Sequence, residues 1–181
     1  AQLGYATVSI NYRLGYNTKL SKSEEAQRTL VRAMEDLSDA IQFVKDSLTN
    51  FAIDTNNIII GGSSAGAITA LELAYNNKNK KIIETSKAIN INHEKFQKHT
   101  FKSVISLCGA MSSPIKNNEE IPLISIHGTE DKLVPYYKGV SEPIRVMGFQ
   151  HIPKDTLYGD AFLIEQLKQN NSGLYTFKGA K

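Results

Sequence analysis

The spacing of hydrophobic positions changes several times along the chain, and each change marks an element. Tyr5 to Asn11 is rich in β-branched and aromatic residues and reads as a first strand. From about Lys22 to Leu48, apolar residues recur every three or four positions: Ala26, Leu30, Ala33, Leu37, Ile41, Val44 and Leu48. That spacing predicts one long helix with a single buried stripe. Its opposite face carries Glu25, Arg28, Arg32, Glu35, Asp39 and Gln42, and Ser21 with Glu24 fits a capping box at its start. Ile58 to Ile60 is a short, continuous apolar strand, followed by a glycine-rich turn and a helix from about Ala65 to Asn76. Asn77 to Thr100 is polar and weakly patterned. Val104 to Cys108 and Leu123 to Ile126 read as further strands, Met111 to Glu120 as loop, and Pro135 to Lys154 as irregular. Tyr158 to Gln169 reads as the last helix and Leu174 to Phe177 as the last strand.

Strands and helices therefore alternate, and most strands are short apolar runs. This predicts an α/β fold with an open, mostly parallel sheet and helices on both faces. In such sheets ligands bind beyond the C-terminal ends of the strands. Gly61 to Gly66 and His127 to Asp131 both lie at such ends.

Composition narrows the function classes. The chain has 181 residues, enough for one domain with a real core. It carries 21 basic and 18 acidic residues, a net charge of +3, and its basic residues are scattered. The densest run, Lys78 to Lys81, reads as a solvated loop, so no nucleic-acid surface is expected. The single cysteine, Cys108, has no disulfide partner and reads as a packed thiol in a strand. Four histidines with no ligand-spaced pair give no zinc site. No apolar stretch is long enough for a membrane span. No charged leader precedes an apolar core, so no signal peptide is expected.

The chemistry concentrates in Gly62-Ser63-Ser64-Ala65-Gly66, a Gly-x-Ser-x-Gly pattern. Chance alone places that pattern in roughly 6% of chains of this length, so its setting decides. It follows an apolar strand and precedes a helix, the context a nucleophile elbow requires. A sharp turn there would expose the Ser64 hydroxyl, with Gly62 and Gly66 leaving room for the crossing. The helix start supplies positive potential, and the Ala65 N–H is placed to stabilise an oxyanion. The bland alternative is a helix-capping serine in a glycine-rich turn. No Gly-Lys-Ser/Thr follows, so a phosphate loop is not expected. Asp131 lies five residues past a strand, suited to orient a histidine. A turn-forming surface acid is its alternative reading, and Glu130 is a neighbouring acid. Among the histidines, His127 reads as a loop support and His93 and His99 as surface residues. His151 alone follows Asp131.

With these motifs in place, the chain resembles the carboxylesterase/lipase branch of the α/β-hydrolase superfamily. The likeness runs through Tyr5 to Gly15, through Ile53 to Gly66, and through Ile124 to Pro135, and includes Tyr158-Gly159. It implies a three-layer αβα sandwich and a cofactor-free serine esterase with Ser64 as nucleophile, Asp131 as triad acid and Ala65 as oxyanion donor. A small-molecule ester would be the substrate. Residues 1–181 would form one incomplete catalytic domain. A His-Gly-Gly-type oxyanion loop is expected before Ala1, and the histidine base just beyond Lys181. A peptidase of the same fold, or an interaction protein that keeps the fold without catalysis, are the rival readings.

Overall fold

The computed structural model describes residues 3–15, 22–47, 53–116, 120–140, 155–167 and 171–179. Its centre is a four-stranded parallel sheet. In chain order the strands are β1 (Ile59–Ser63), β2 (Ser103–Leu107), β4 (Leu123–Gly128) and β7 (Gly173–Phe177), and they lie side by side in that same order. Ile60 is level with Val104, and Leu107 with both Ser63 and Ile126. A second, three-stranded antiparallel sheet orders β3 (Ala110–Met111), β6 (Thr156–Gly159) and β5 (Lys138–Val140) as β3-β6-β5. The helices are α1 (Lys22–Ser47), α2 (Ala65–Tyr75), α3 (Lys80–Ala88) and α4 (Asp160–Gln166), with a 3₁₀ turn at His93–Gln97. The architecture is thus the expected α/β one, a mostly parallel central sheet layered with helices.

The helix α2 forms because its sequence, Ala-Gly-Ala-Ile-Thr-Ala-Leu-Glu-Leu-Ala-Tyr, is rich in strong helix formers. It lies against β1 and β2 and buries Ala67, Ala70, Leu71 and Leu73. Val104, Leu123, Met111 and Leu163 complete this part of the core. Each such side chain contributes roughly 1.5–3 kcal/mol by leaving water. α3 starts at Asn79, whose side chain accepts the Lys81 N–H at 2.9 Å.

The strands do not bury both sides equally. Val104, Ser106, Leu123, Ser125 and His127 point to the covered side. On the other side Ile59, Ile105, Leu107, Ile124 and Ile126 are between 37% and 42% exposed among the described residues. No helix of the described residues is long and apolar enough to cross a membrane.

Several expectations are corrected. Residues 5–11 are not a strand: they form no ladder, and Tyr5 and Val8 are exposed. This segment lines, with α1 and β1, a cavity of about 520 Å³. β-Propensity without a paired edge does not make a strand. The buried stripe of α1 is rotated from the expected one. Ala33 and Ile41 are buried as expected, but so are Gln27, Val31, Met34 and Ser38, while Leu30 and Leu37 pack at the margin. Glu25, expected on the polar face, is buried and held by Arg32 at 2.7 Å. Ser21 and Leu48 lie outside the described residues. Tyr158 and Gly159 belong to β6, not to the helix. A Cβ at Gly159 would collide with the Pro135 carbonyl oxygen, and its N–H bonds the Tyr137 carbonyl at 2.7 Å. A strand edge held that closely cannot coil into α4.

His99 is a further correction, since it is buried rather than on the surface. Its Nε2 lies 2.9 Å from Ser38 Oγ, and its ring sits beside Phe101. Burial lowers its pKa from the usual value. The folded state then holds the ring neutral where the unfolded chain takes up a proton, near pH 6.5. The associated stability is present above that pH and is lost as pH falls below it. Urea titrations of a His99→Gln variant should therefore show a shallower loss of stability between pH 7 and 5 than the parent chain. Equal slopes would contradict this.

Candidate active site

The turn after β1 has the geometry of an elbow. Ser64 has φ 54° and ψ −116°, a left-handed backbone seldom adopted by residues other than glycine. Its N–H donates to the Leu107 carbonyl at 2.8 Å, and its own carbonyl accepts the Ile68 N–H at 2.9 Å. One residue thus closes the sheet ladder and opens the helix. Ser64 stands at the N-cap position of α2 but its side chain makes no capping hydrogen bond. A capping serine would use extended backbone and accept a helix N–H with its side-chain oxygen. Ser64 does neither.

The first N–H groups of a helix lie outside its own ladder. Ala65 is the first residue of α2, and the first turn carries no acidic side chain to offset the positive helix end. A cavity of about 670 Å³ reaches Ala65 between α1, α2 and β6, with Leu30, Ile68, Val134 and Leu157 on its wall. Asn79 and Lys81 border it from the segment 77–100.

The two glycines of the pattern differ. A Cβ on Gly62 would come within 2.6 Å of the Gly66 backbone carbon, so the strand and helix cross too closely for any side chain there. A Cβ on Gly66 would meet nothing within 4 Å. The expected steric role holds for Gly62 only.

Asp131 follows β4, two strands away from the elbow along the same sheet edge, or about 10 Å at the usual strand spacing. The side chain is buried, whereas Glu130 faces outward. Asp131 Oδ1 accepts the N–H groups of Leu133 at 2.8 Å and Val134 at 3.0 Å, folding the loop around the carboxylate. Asp131 Oδ2 is buried and has no hydrogen-bond partner among the described residues. The turn-former reading accounts for one oxygen and leaves the other unused. The chain leaving β7 lies directly against this loop: Glu130 N–H donates to the Gly179 carbonyl at 3.0 Å, and Thr129 N–H to the Phe177 carbonyl at 3.1 Å.

His127 supports the loop. Its Nε2 donates to the Val134 carbonyl at 3.1 Å, and its Nδ1 lies 2.9 Å from Asp160 Oδ2. Cys108, His127 and Asp131 bring one sulfur, nitrogen and oxygen within 4.8 Å of one another. Both imidazole nitrogens are already engaged, however, so the ring offers no free lone pair to a metal. Of the other histidines, His93 lies in the 3₁₀ turn and His99 packs on α1, while His151 lies outside the described residues.

The residue that sequence reasoning missed is Asp160. It is fully buried at the start of α4, accepts the Ser106 hydroxyl at 2.8 Å and the Gly109 N–H at 3.0 Å, and faces His127. The dipeptide Tyr158-Gly159 pointed to this place in the chain, but nothing in the sequence singled out Asp160.

A parallel sheet ending in a Gly-Ser-Ser-Ala-Gly elbow, with a buried acid on the next loop but one, is the arrangement of the α/β-hydrolase class. Residues 1–113 match the BD-FAE family, and the chain belongs to that family. A comparison with curated proteins gave no match. Among solved structures, the chain is similar to Est2, a thermophilic esterase from the Planctomycetes species Thermogutta terrifontis. The identity is 17% and the TM-score 0.54, over 94% of this chain and 59% of that one. It is also similar to the Thermogutta terrifontis esterase 2 phosphonylated by cyclosarin, at 15% identity and TM-score 0.51, over 94% and 57%. A third likeness is to MGS-M1, an α/β-hydrolase enzyme from a Medee basin deep-sea metagenome library. Here the identity is 19% and the TM-score 0.50, over 82% and 50%. The chain therefore spans between half and three-fifths of the length of these proteins, and the likeness is one of fold.

The elbow geometry predicts opposite outcomes at its two glycines. Gly62→Ala should destabilise the chain by about 1–3 kcal/mol, the usual range for forced overpacking. Gly66→Ala should be neutral or stabilising by up to ~1 kcal/mol, because alanine favours helix. Urea denaturation of the two variants checks both; equal costs would count against the close crossing at Gly62.

Proposed function

We propose that the chain carries the nucleophile and the acid of a serine carboxylic-ester hydrolase, of esterase or lipase type, within one catalytic domain. The observation that carries this reading is the Ser64 elbow, whose left-handed backbone brings no capping bond. A strained residue whose hydroxyl makes no capping bond, at a positive helix end, is costly for structure alone and apt for nucleophilic attack.

In this mechanism Ser64 Oγ attacks the ester carbonyl carbon while a histidine imidazole takes its proton. Negative charge gathers on the carbonyl oxygen, where the Ala65 N–H stabilises it. The imidazolium returns the proton to the departing alcohol, leaving an acyl-enzyme. Water, deprotonated by the same imidazole, then releases the acid and restores Ser64. Asp131 Oδ2 accepts the imidazole Nδ1–H, fixing the tautomer and stabilising the charged ring. Two observations support this role: the unused, buried Oδ2 and the contact between the Asp131 loop and Gly179. That contact brings the chain following β7 to the acid, which is where the histidine is expected. The mostly apolar cavity beside Ala65 suits the acyl or alcohol group of a small ester. No step calls for a metal or organic cofactor.

The test is intact-mass analysis of the natural protein with a fluorophosphonate, alongside turnover of a p-nitrophenyl ester. One adduct on Ser64 is expected, with none on Ser64→Ala, whose turnover falls to background. Asp131→Asn should lower kcat by about 10³- to 10⁴-fold. An adduct that survives Ser64→Ala would refute the assignment.

A further inference from the structure

We infer that His127 and Asp160 are positioning residues for the Asp131 carboxylate, acting through the backbone of Val134. The assignment rests on Asp131 serving as the triad acid.

The bonds form one continuous path. Asp160 Oδ1 accepts the Ser106 hydroxyl from β2, and its Oδ2 accepts the Gly109 N–H, so the carboxylate is anchored to the strand next to β4. Its Oδ2 also holds His127 Nδ1 at 2.9 Å. His127 Nε2 faces the Val134 carbonyl at 3.1 Å, and because a carbonyl only accepts, Nε2 is the donor there. The N–H of that same Val134 donates to Asp131 Oδ1 at 3.0 Å. Val134 is therefore gripped from both sides, its carbonyl by the His127–Asp160 pair and its N–H by the acid. Rotation or retreat of the imidazole moves the Val134 backbone and, with it, the carboxylate.

The arrangement is too exposed to loss to be incidental packing. His127 and Asp160 are completely buried, and removing either leaves polar groups of the other without partners. An apolar pair would fill the same space without that liability. What an apolar pair would not do is fix the Val134 carbonyl in one place. His127 Nε2 lies 3.8 Å from Asp131 Oδ2, beyond hydrogen-bond length, so the imidazole leaves that oxygen to another donor.

The test is a double-mutant cycle in the natural protein, with a p-nitrophenyl ester. His127→Asn keeps a donor toward Asp160 but falls short of Val134; His127→Gln reaches the Val134 carbonyl. His127→Asn and Asp160→Asn should each lower kcat by about 10- to 100-fold, the scale of a 1 Å misplacement, with KM within about twofold. His127→Gln should lose less than about tenfold, because the contact with Val134 is kept. In an Asp131→Asn background these losses should shrink to about twofold or less, since residues acting as one unit are not additive. Thermal melts confirm that each variant is folded. Should His127→Asn not fold, Ser106→Ala is the milder variant, with a loss of about two- to fivefold that likewise vanishes with Asp131→Asn. Losses that multiply in the double variants, or folded single variants with full kcat, overturn the positioning role while leaving Ser64 and Asp131 as assigned. Full kcat in Asp131→Asn alone overturns the acid assignment and this inference together.

Discussion

The hydrogen bond from the Ser64 N–H to the Leu107 carbonyl extends the β1–β2 ladder by one step into a residue that no longer has strand geometry. From there the Ser64 carbonyl begins the first turn of α2. Two demands meet on one residue: its N–H must stay with the sheet and its carbonyl must face along a helix that doubles back over the same sheet. The left-handed backbone satisfies both at a strain of order 1–3 kcal/mol. The burial of α2 against β1 and β2 offsets that strain, and only glycine at position 62 lets the helix come close enough to do so. Among the described residues the Ser64 hydroxyl makes no capping hydrogen bond in this turn, which leaves it free for the proposed chemistry.

The acid loop solves a different problem with similar means. A carboxylate buried beyond a strand end must have its lone pairs filled or be repelled from the interior. Asp131 fills one oxygen with the N–H groups of its own turn and leaves the other bare. The turn is in turn held by His127, one residue before the end of β4, and by Asp160 at the head of α4. β2, β4 and α4 thus converge on a single loop through side chains rather than through ladder bonds. The loop's own N–H groups hold the acid, and side chains from distant segments hold the loop.

That distinction explains what the sequence made legible. Ser64, Ala65 and Asp131 could be placed because the signals are local: glycines at a strand–helix junction, an acid a fixed distance past an apolar run. The strands β1, β2, β4 and β7 were visible for the same reason, as short apolar runs between turn formers. Residues 5–11 carry the same local signal yet form no ladder, because a strand is defined by its partner and not by its composition. In α1 the three-and-four spacing was real, but Glu25 and Gln27 sit on the buried side and Leu30 and Leu37 at its margin. The helix turns to meet α2 and the 3₁₀ segment, and no periodicity within α1 records where those neighbours lie.

Asp160 is the instructive omission. By sequence it is an ordinary acid in the first turn of a helix, where a negative charge is favoured anyway. Its significance comes from Ser106 and His127, 54 and 33 residues away, and from β6 ending at a glycine too closely held to join the helix. Ser106 carries no signal in its apolar strand, and His127 reads as a loop support without pointing to Asp160. Together they form a buried polar network that ties β2, β4 and α4 to one loop. Such a network can be read only in three dimensions, since its members share no period, motif or spacing. The elbow rests on steric rules that any chain must obey, whereas the acid loop depends on side chains brought together from separate segments.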